Sequence, residues 1–96
     1  MKGENKVYKI KDNIDLKELG KFHYTESEFK DVKCYAQYNL SYQVFVNIEN
    51  RKIIVQYTEF GTHPSDDKVK YVMEDIDIYI ADLIQANLVE RVLEID

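Results

Sequence analysis

The middle of the chain alternates apolar and polar residues with the two-residue period of a half-buried strand. In Val32–Tyr38, Val32, Cys34, Ala36 and Tyr38 share one side, and Lys33, Tyr35 and Gln37 share the other. Over residues 42–49, Tyr42, Val44, Val46 and Ile48 alternate with Gln43, Phe45, Asn47 and Glu49; over residues 53–58, Ile53, Val55 and Tyr57 alternate with Ile54, Gln56 and Thr58. A two-residue turn at Asn50-Arg51 sets Glu49 opposite Lys52, Ile48 opposite Ile53, Val46 opposite Val55 and Val44 opposite Tyr57. This register matches apolar with apolar and places a charge pair beside the turn. Three consecutive antiparallel strands are predicted, with Cys34 facing the core.

The flanks are read from caps and breakers. Val7–Ile10 is β-prone, and Asp12-Asn13 ends it. Asp15 is a predicted N-cap for a short helix over residues 16–19, with Glu18 completing a capping box and Gly20 as the left-handed residue after it. Residues 22–31 alternate poorly and read as a loop or an irregular strand. After a loop at 59–64, Ser65 or Thr62 can cap a long helix, with Asp66 and Asp67 in its first turn. On a helical wheel over residues 69–87, Val69, Val72, Met73, Ile76, Ile80, Leu83 and Ile84 fall within about 120°, the width of a core-facing stripe. Asn87 then takes the left-handed position, Leu88 folds back onto Leu83, and residues 89–95 return to strand character. Residues 75–80 also alternate with period two, but seven residues on one stripe outweigh six of alternation. The expected fold is α+β: an antiparallel sheet in the order β-α-β-β-β-α-β, with one long C-terminal helix packed on one face.

Ninety-six residues, with 45% hydrophobic and 32% charged, describe one globular domain over residues 1–96. The net charge of −5 is concentrated late: residues 59–96 hold ten acids against Lys68, Lys70 and Arg91. That balance repels phosphate backbones, disfavours nucleic acid as a direct ligand and suits a basic protein partner. There is no secretory signal, no membrane-length apolar run and no lipidation motif, so the expectation is a cytoplasmic chain in which Cys34 is a reduced, buried residue. Gly-rich phosphate loops, dinucleotide fingerprints and metal-ligand spacings are missing, so no cofactor or metal is expected. The strongest catalytic alternative is the loop Gly61-Thr62-His63-Pro64-Ser65-Asp66-Asp67, which gathers a base, hydroxyls and carboxylates; the same residues are what a helix start requires. A small-ligand or catalytic site at His63 is therefore the minority reading, and the chain reads as a non-enzyme.

Two surfaces stand out. On the predicted helix, Ile78 and Tyr71 project away from the core stripe, and Glu74, Asp75, Asp82 and Gln85 surround them. An apolar centre with a charged rim is the build of a docking patch, so Tyr71, Glu74, Asp75, Ile78, Asp82 and Gln85 are the candidate partner-binding residues. A dimer mate is a second way to cover that helix. The other surface is the predicted outer sheet face, where Tyr35 and Phe45 lie between Lys33 and Lys52. It resembles a single-stranded nucleic-acid platform, although ordinary cross-strand packing accounts for it.

The stretches Ile10-Lys11-Asp12-Asn13-Ile14-Asp15-Leu16-Lys17-Glu18-Leu19 and Asp82-Leu83-Ile84-Gln85-Ala86-Asn87-Leu88-Val89-Glu90-Arg91-Val92 resemble segments of small bacteriophage and prophage accessory proteins. The resemblance covers about a fifth of the chain and carries no catalytic residues across. It implies a small accessory protein and, by analogy with compact acidic domains of that kind, an inhibitor of a nucleic-acid-handling host defence protein.

Overall fold

The computed structural model describes residues 7–39, 41–57, 70–72 and 75–92. Among them are seven strands: β1 (Val7–Ile10), β2 (Thr25–Phe29), β3 (Val32–Tyr38), β4 (Tyr42–Asn47), β5 (Ile53–Tyr57), β6 (Lys70–Tyr71) and β7 (Val89–Val92). Strands β2 to β6 form an antiparallel meander in sequence order, and β1 pairs with β7 as a separate two-stranded ribbon. Among the described residues, helical structure is limited to two 3-10 segments, Leu16–Phe22 and Ile76–Ile78, and one short α-helix, α1 (Ala81–Gln85).

This overturns the expected α+β architecture with its long C-terminal helix. The stretch read as residues 69–87 of one helix splits into a strand, a 3-10 turn and a five-residue helix. At its start, the Val72 amide donates to Val55 O at 2.8 Å, so β6 joins the edge of β5. Asp75 then takes a left-handed conformation (φ 53°), which an α-helix cannot contain. Ile76, Ile80 and Leu83 of the predicted stripe are nevertheless fully buried, because short turns bring the same i, i+4, i+7 residues to one side. The helix end follows expectation: Asn87 is left-handed (φ 61°) and the Leu88 amide reaches Leu83 O at 3.1 Å. Residues 58–69, including Thr58, the predicted helix cap and the His63 loop, lie outside the described residues, as do residues 73–74 and 93–96.

Three local readings also change. Residues 25–29, part of the stretch read as a loop, pair in full with β3 through a two-residue turn at Lys30-Asp31. Both turn residues have positive φ (49° and 66°), the geometry whose twist matches the flanking strands. The 3-10 helix at Leu16–Phe22 is capped by Asp15 as expected, since its carboxylate accepts from the Lys17 amide. The left-handed residue at its end, however, is His23 and not Gly20.

The β4–β5 hairpin is shifted by two residues, pairing Val46 with Ile53, Val44 with Val55 and Tyr42 with Tyr57. The reason is Asn47. Its Oδ1 accepts from the amides of Glu49 (2.7 Å) and Asn50 (3.1 Å), and its carbonyl accepts from Arg51 (2.9 Å). The turn is thereby widened to residues 48–51, with Arg51 left-handed (φ 66°). A shift of two preserves which residues face inward, so both registers satisfy the apolar pattern and the turn decides between them.

The core lies on one side of the meander. Tyr35, Val44, Val46, Ile53 and Val55 pack there against Ile10, Leu19, Tyr24, Ile76, Ile80 and Leu83 from the ribbon, the 3-10 segments and α1. Arg51 ties the layers together: its carbonyl accepts from Ile10, and its Nη1 donates to the carbonyls of Lys11 (2.8 Å) and Ile14 (2.6 Å).

Candidate functional site

The opposite face of the meander carries a second, smaller apolar cluster of Cys34, Ala36 and Phe45, with Phe29 packed on it. Cross-strand partners share a face, so the pairing fixes what this face contains. Ala36 pairs with Phe45, Phe45 with Ile54, Cys34 with Asn47, Ser27 with Cys34, and Phe29 with Val32. Strand β3 is therefore reversed relative to expectation: Cys34 and Ala36 lie on this outer face, and Tyr35, expected outside, pairs with Val46 in the core. The inner side of β3 carries Lys33, Tyr35 and Gln37, so its alternation points the other way and the pairing with β4 sets the orientation.

A depression follows from side-chain size. Cys34 is small and lies among the larger Phe29, Val32, Phe45 and Ile54. The result is a cleft of about 200 Å³ lined by Phe29, Lys30, Val32, Cys34, Phe45, Asn47 and Ile54. Phe29 stacks on Phe45 at 4.6 Å between ring centroids, and Tyr38 meets Phe45 edge-on at 6.1 Å. This fixes the aromatic floor in two favoured ring geometries. Val32 and Ile54 are each 46% exposed on the rim. Lys30 holds its ammonium 5.4 Å from the centre of the Phe29 ring, and among the described residues the lining carries one cation and no carboxylate.

The chemistry this arrangement offers is apolar contact. Burial pushes the Cys34 thiol above its ordinary value, the opposite of what an attacking thiolate needs. Among the described residues, no group of three or more His, Cys, Asp or Glu side chains is placed to hold a metal ion. No described helix is long and apolar enough to cross a membrane. The volume is below the roughly 300–1,000 Å³ of small-molecule pockets and suits one or two apolar side chains.

The candidate residues taken from the helical wheel are not brought together on a helix. Tyr71 lies on β6 opposite Gln56, which puts it on the outer face, 41% exposed. Ile78 ends a 3-10 segment in the layer covering the inner face and is 72% exposed. Asp75 precedes that segment and is exposed; Asp82, in the first turn of α1, accepts from the Leu83 amide at 2.8 Å; Gln85 ends α1 and is exposed. Glu74 is outside the described residues. Of the expected sheet platform, Phe45 and Ile54 do face outward, but Tyr35 is withdrawn and its hydroxyl donates to Glu26 at 3.3 Å. Phe29, Lys30, Val32 and Cys34 were not anticipated as site residues. The signal for them is Phe29 and Val32 flanking Lys30-Asp31, two apolar residues closing a two-residue turn.

Comparison with protein-family models, with curated proteins and with solved structures finds no match for this chain.

Proposed function

We propose that the protein is a non-catalytic interaction module whose outer-face cleft receives an apolar side chain of a protein partner. The observation that supports this most directly is the cleft: an apolar floor of stacked rings, a half-exposed aliphatic rim and a single cation, on the side of the sheet away from the core. Interface anchors of this kind fill desolvated pockets and contribute most of the binding energy. The chain's net charge of −5 steers partners of positive net charge at long range, while the cleft sets what is held at contact. The docking patch expected on a continuous acidic helix face has no such helix to stand on, because the stretch is broken into a strand, a 3-10 turn and a five-residue helix.

The test compares capture by variants. From a lysate of the source organism, immobilised wild-type chain is expected to retain a protein that is lost on Ile54→Asp and kept on the remote control Lys17→Asp. Circular dichroism confirms that both variants are folded. An unchanged retained set on folded Ile54→Asp removes the cleft as the docking site.

A further inference from the structure

We propose that the cleft of one copy receives the Ile78 corner of a second copy, so that the chain assembles head to tail. This rests on the cleft being a docking site and names its occupant. Ile78 has the highest exposure among the described large hydrophobic residues. It stands on a tight turn, its amide donating to the Asp75 backbone carbonyl at 3.2 Å, so Asp75, an exposed acidic residue, belongs to the same corner. The cleft presents the inverse: an apolar hollow with the room for one or two aliphatic side chains and the Lys30 ammonium on its lip. An aliphatic knob beside a carboxylate thus meets an aliphatic hole beside an ammonium, which is complementarity in both shape class and charge.

The two surfaces lie on different sides of the sheet. The Ile78 segment belongs to the layer over the inner face, through buried Ile76 and Ile80, and the cleft opens on the outer face. One chain therefore cannot fill its own cleft, and the contact is heterologous: each copy gives its corner to one neighbour and its cleft to another. The net charge of −5 on each copy opposes this at a distance, but that repulsion is screened beyond about 8 Å at physiological salt, whereas the knob and hole meet in contact.

Sedimentation of the full chain at physiological salt tests the proposal. The wild type is expected to sediment faster with rising concentration and to pass beyond a dimer, because every open assembly retains a free cleft at one end and a free corner at the other. Ile54→Asp, which spoils only the cleft, and Ile78→Lys, which spoils only the corner, are each expected to stay monomeric. Mixed in equal amounts they should form a heterodimer and nothing larger, through the intact corner of the first and the intact cleft of the second. Val32→Asp replaces Ile54→Asp if that variant loses its circular-dichroism signal. A wild type that is monomeric throughout, association that survives either variant, or a mixture that stays monomeric overturns the second copy as occupant. In that event, loss of a foreign partner on Ile54→Asp in the capture experiment still supports the cleft as a docking site, so the two readings fail separately.

Discussion

Tyr24 shows what one buried hydroxyl does to the energetics. Its ring is part of the core, and its hydroxyl has no hydrogen-bond partner among the described residues. Burial, reinforced by the Asp82 carboxylate and by Tyr42, pushes its ionisation well above the ordinary value of 10.0. The folded chain therefore keeps this proton at a pH where the unfolded chain has released it, and stability falls as pH rises from about 10. The loss cannot exceed about 1.4 kcal/mol per pH unit for a single group. Tyr24→Phe removes the titrating group while keeping the ring. Chemical denaturation at pH 7 is expected to place this variant within about 1 kcal/mol of wild type, since no described residue hydrogen-bonds the lost hydroxyl. Above pH 10 the variant should decline less steeply than wild type. Equal slopes would show that Tyr24 is open to solvent.

At the scale of elements, the β4–β5 turn is the instructive case. Asn47 satisfies two turn amides with one side-chain oxygen, and that choice, not the apolar pattern, sets the register. Asn47→Ala leaves both amides without that acceptor and is expected to cost about 1–2 kcal/mol in urea denaturation, while Asn47→Asp, which keeps an acceptor in place, should stay near wild type. Equal effects of the two substitutions would assign the turn to Arg51 and its clasp on Lys11 and Ile14. The same hairpin marks what was legible in the chain. Strands β3, β4 and β5 and the apolar identity of Val44, Val46, Ile53 and Val55 follow from alternation, and the Asn87 helix end follows from its cap chemistry. The two-residue register shift does not, because period two is blind to it. The Lys30-Asp31 turn was hidden for another reason: it lacks the Asn-Gly or Asp-Gly signature, and its positive φ angles are imposed by the paired strands. The long helix failed where two periodicities overlapped. Ile76, Ile80 and Leu83 satisfy a helical stripe, but a strand edge at β5 was available to Lys70–Tyr71 and tertiary pairing prevailed over the local pattern. The cleft was hidden for a related reason, since alternation in β3 assigns Cys34 and Ala36 to the core and the pairing with β4 turns them outward.

The whole molecule is two-sided, and neighbouring isoleucines report on its two sides. Ile53 and Ile54 are adjacent on β5, chemically identical, and point to opposite faces; Ile53 is 3% exposed in the core and Ile54 46% exposed on the cleft rim. Ile53→Ala creates a cavity among Val44, Val46, Val55 and the covering layer and is expected to cost about 2–5 kcal/mol. Ile54→Ala opens no enclosed void, so its cost should stay near the ~1 kcal/mol span of strand propensity. Measured by urea denaturation with unchanged m-values, the difference between the two substitutions isolates packing from propensity, because strand, residue type and chain neighbours are shared. If instead the two costs are equal, the outer face is covered as fully as the inner one, and the cleft is then an interior feature with no room for an incoming side chain. The expected asymmetry would leave a sheet stabilised mainly from its inner side, whose second face keeps an apolar rim at the cost of little stability, and such a face is free to be used for binding.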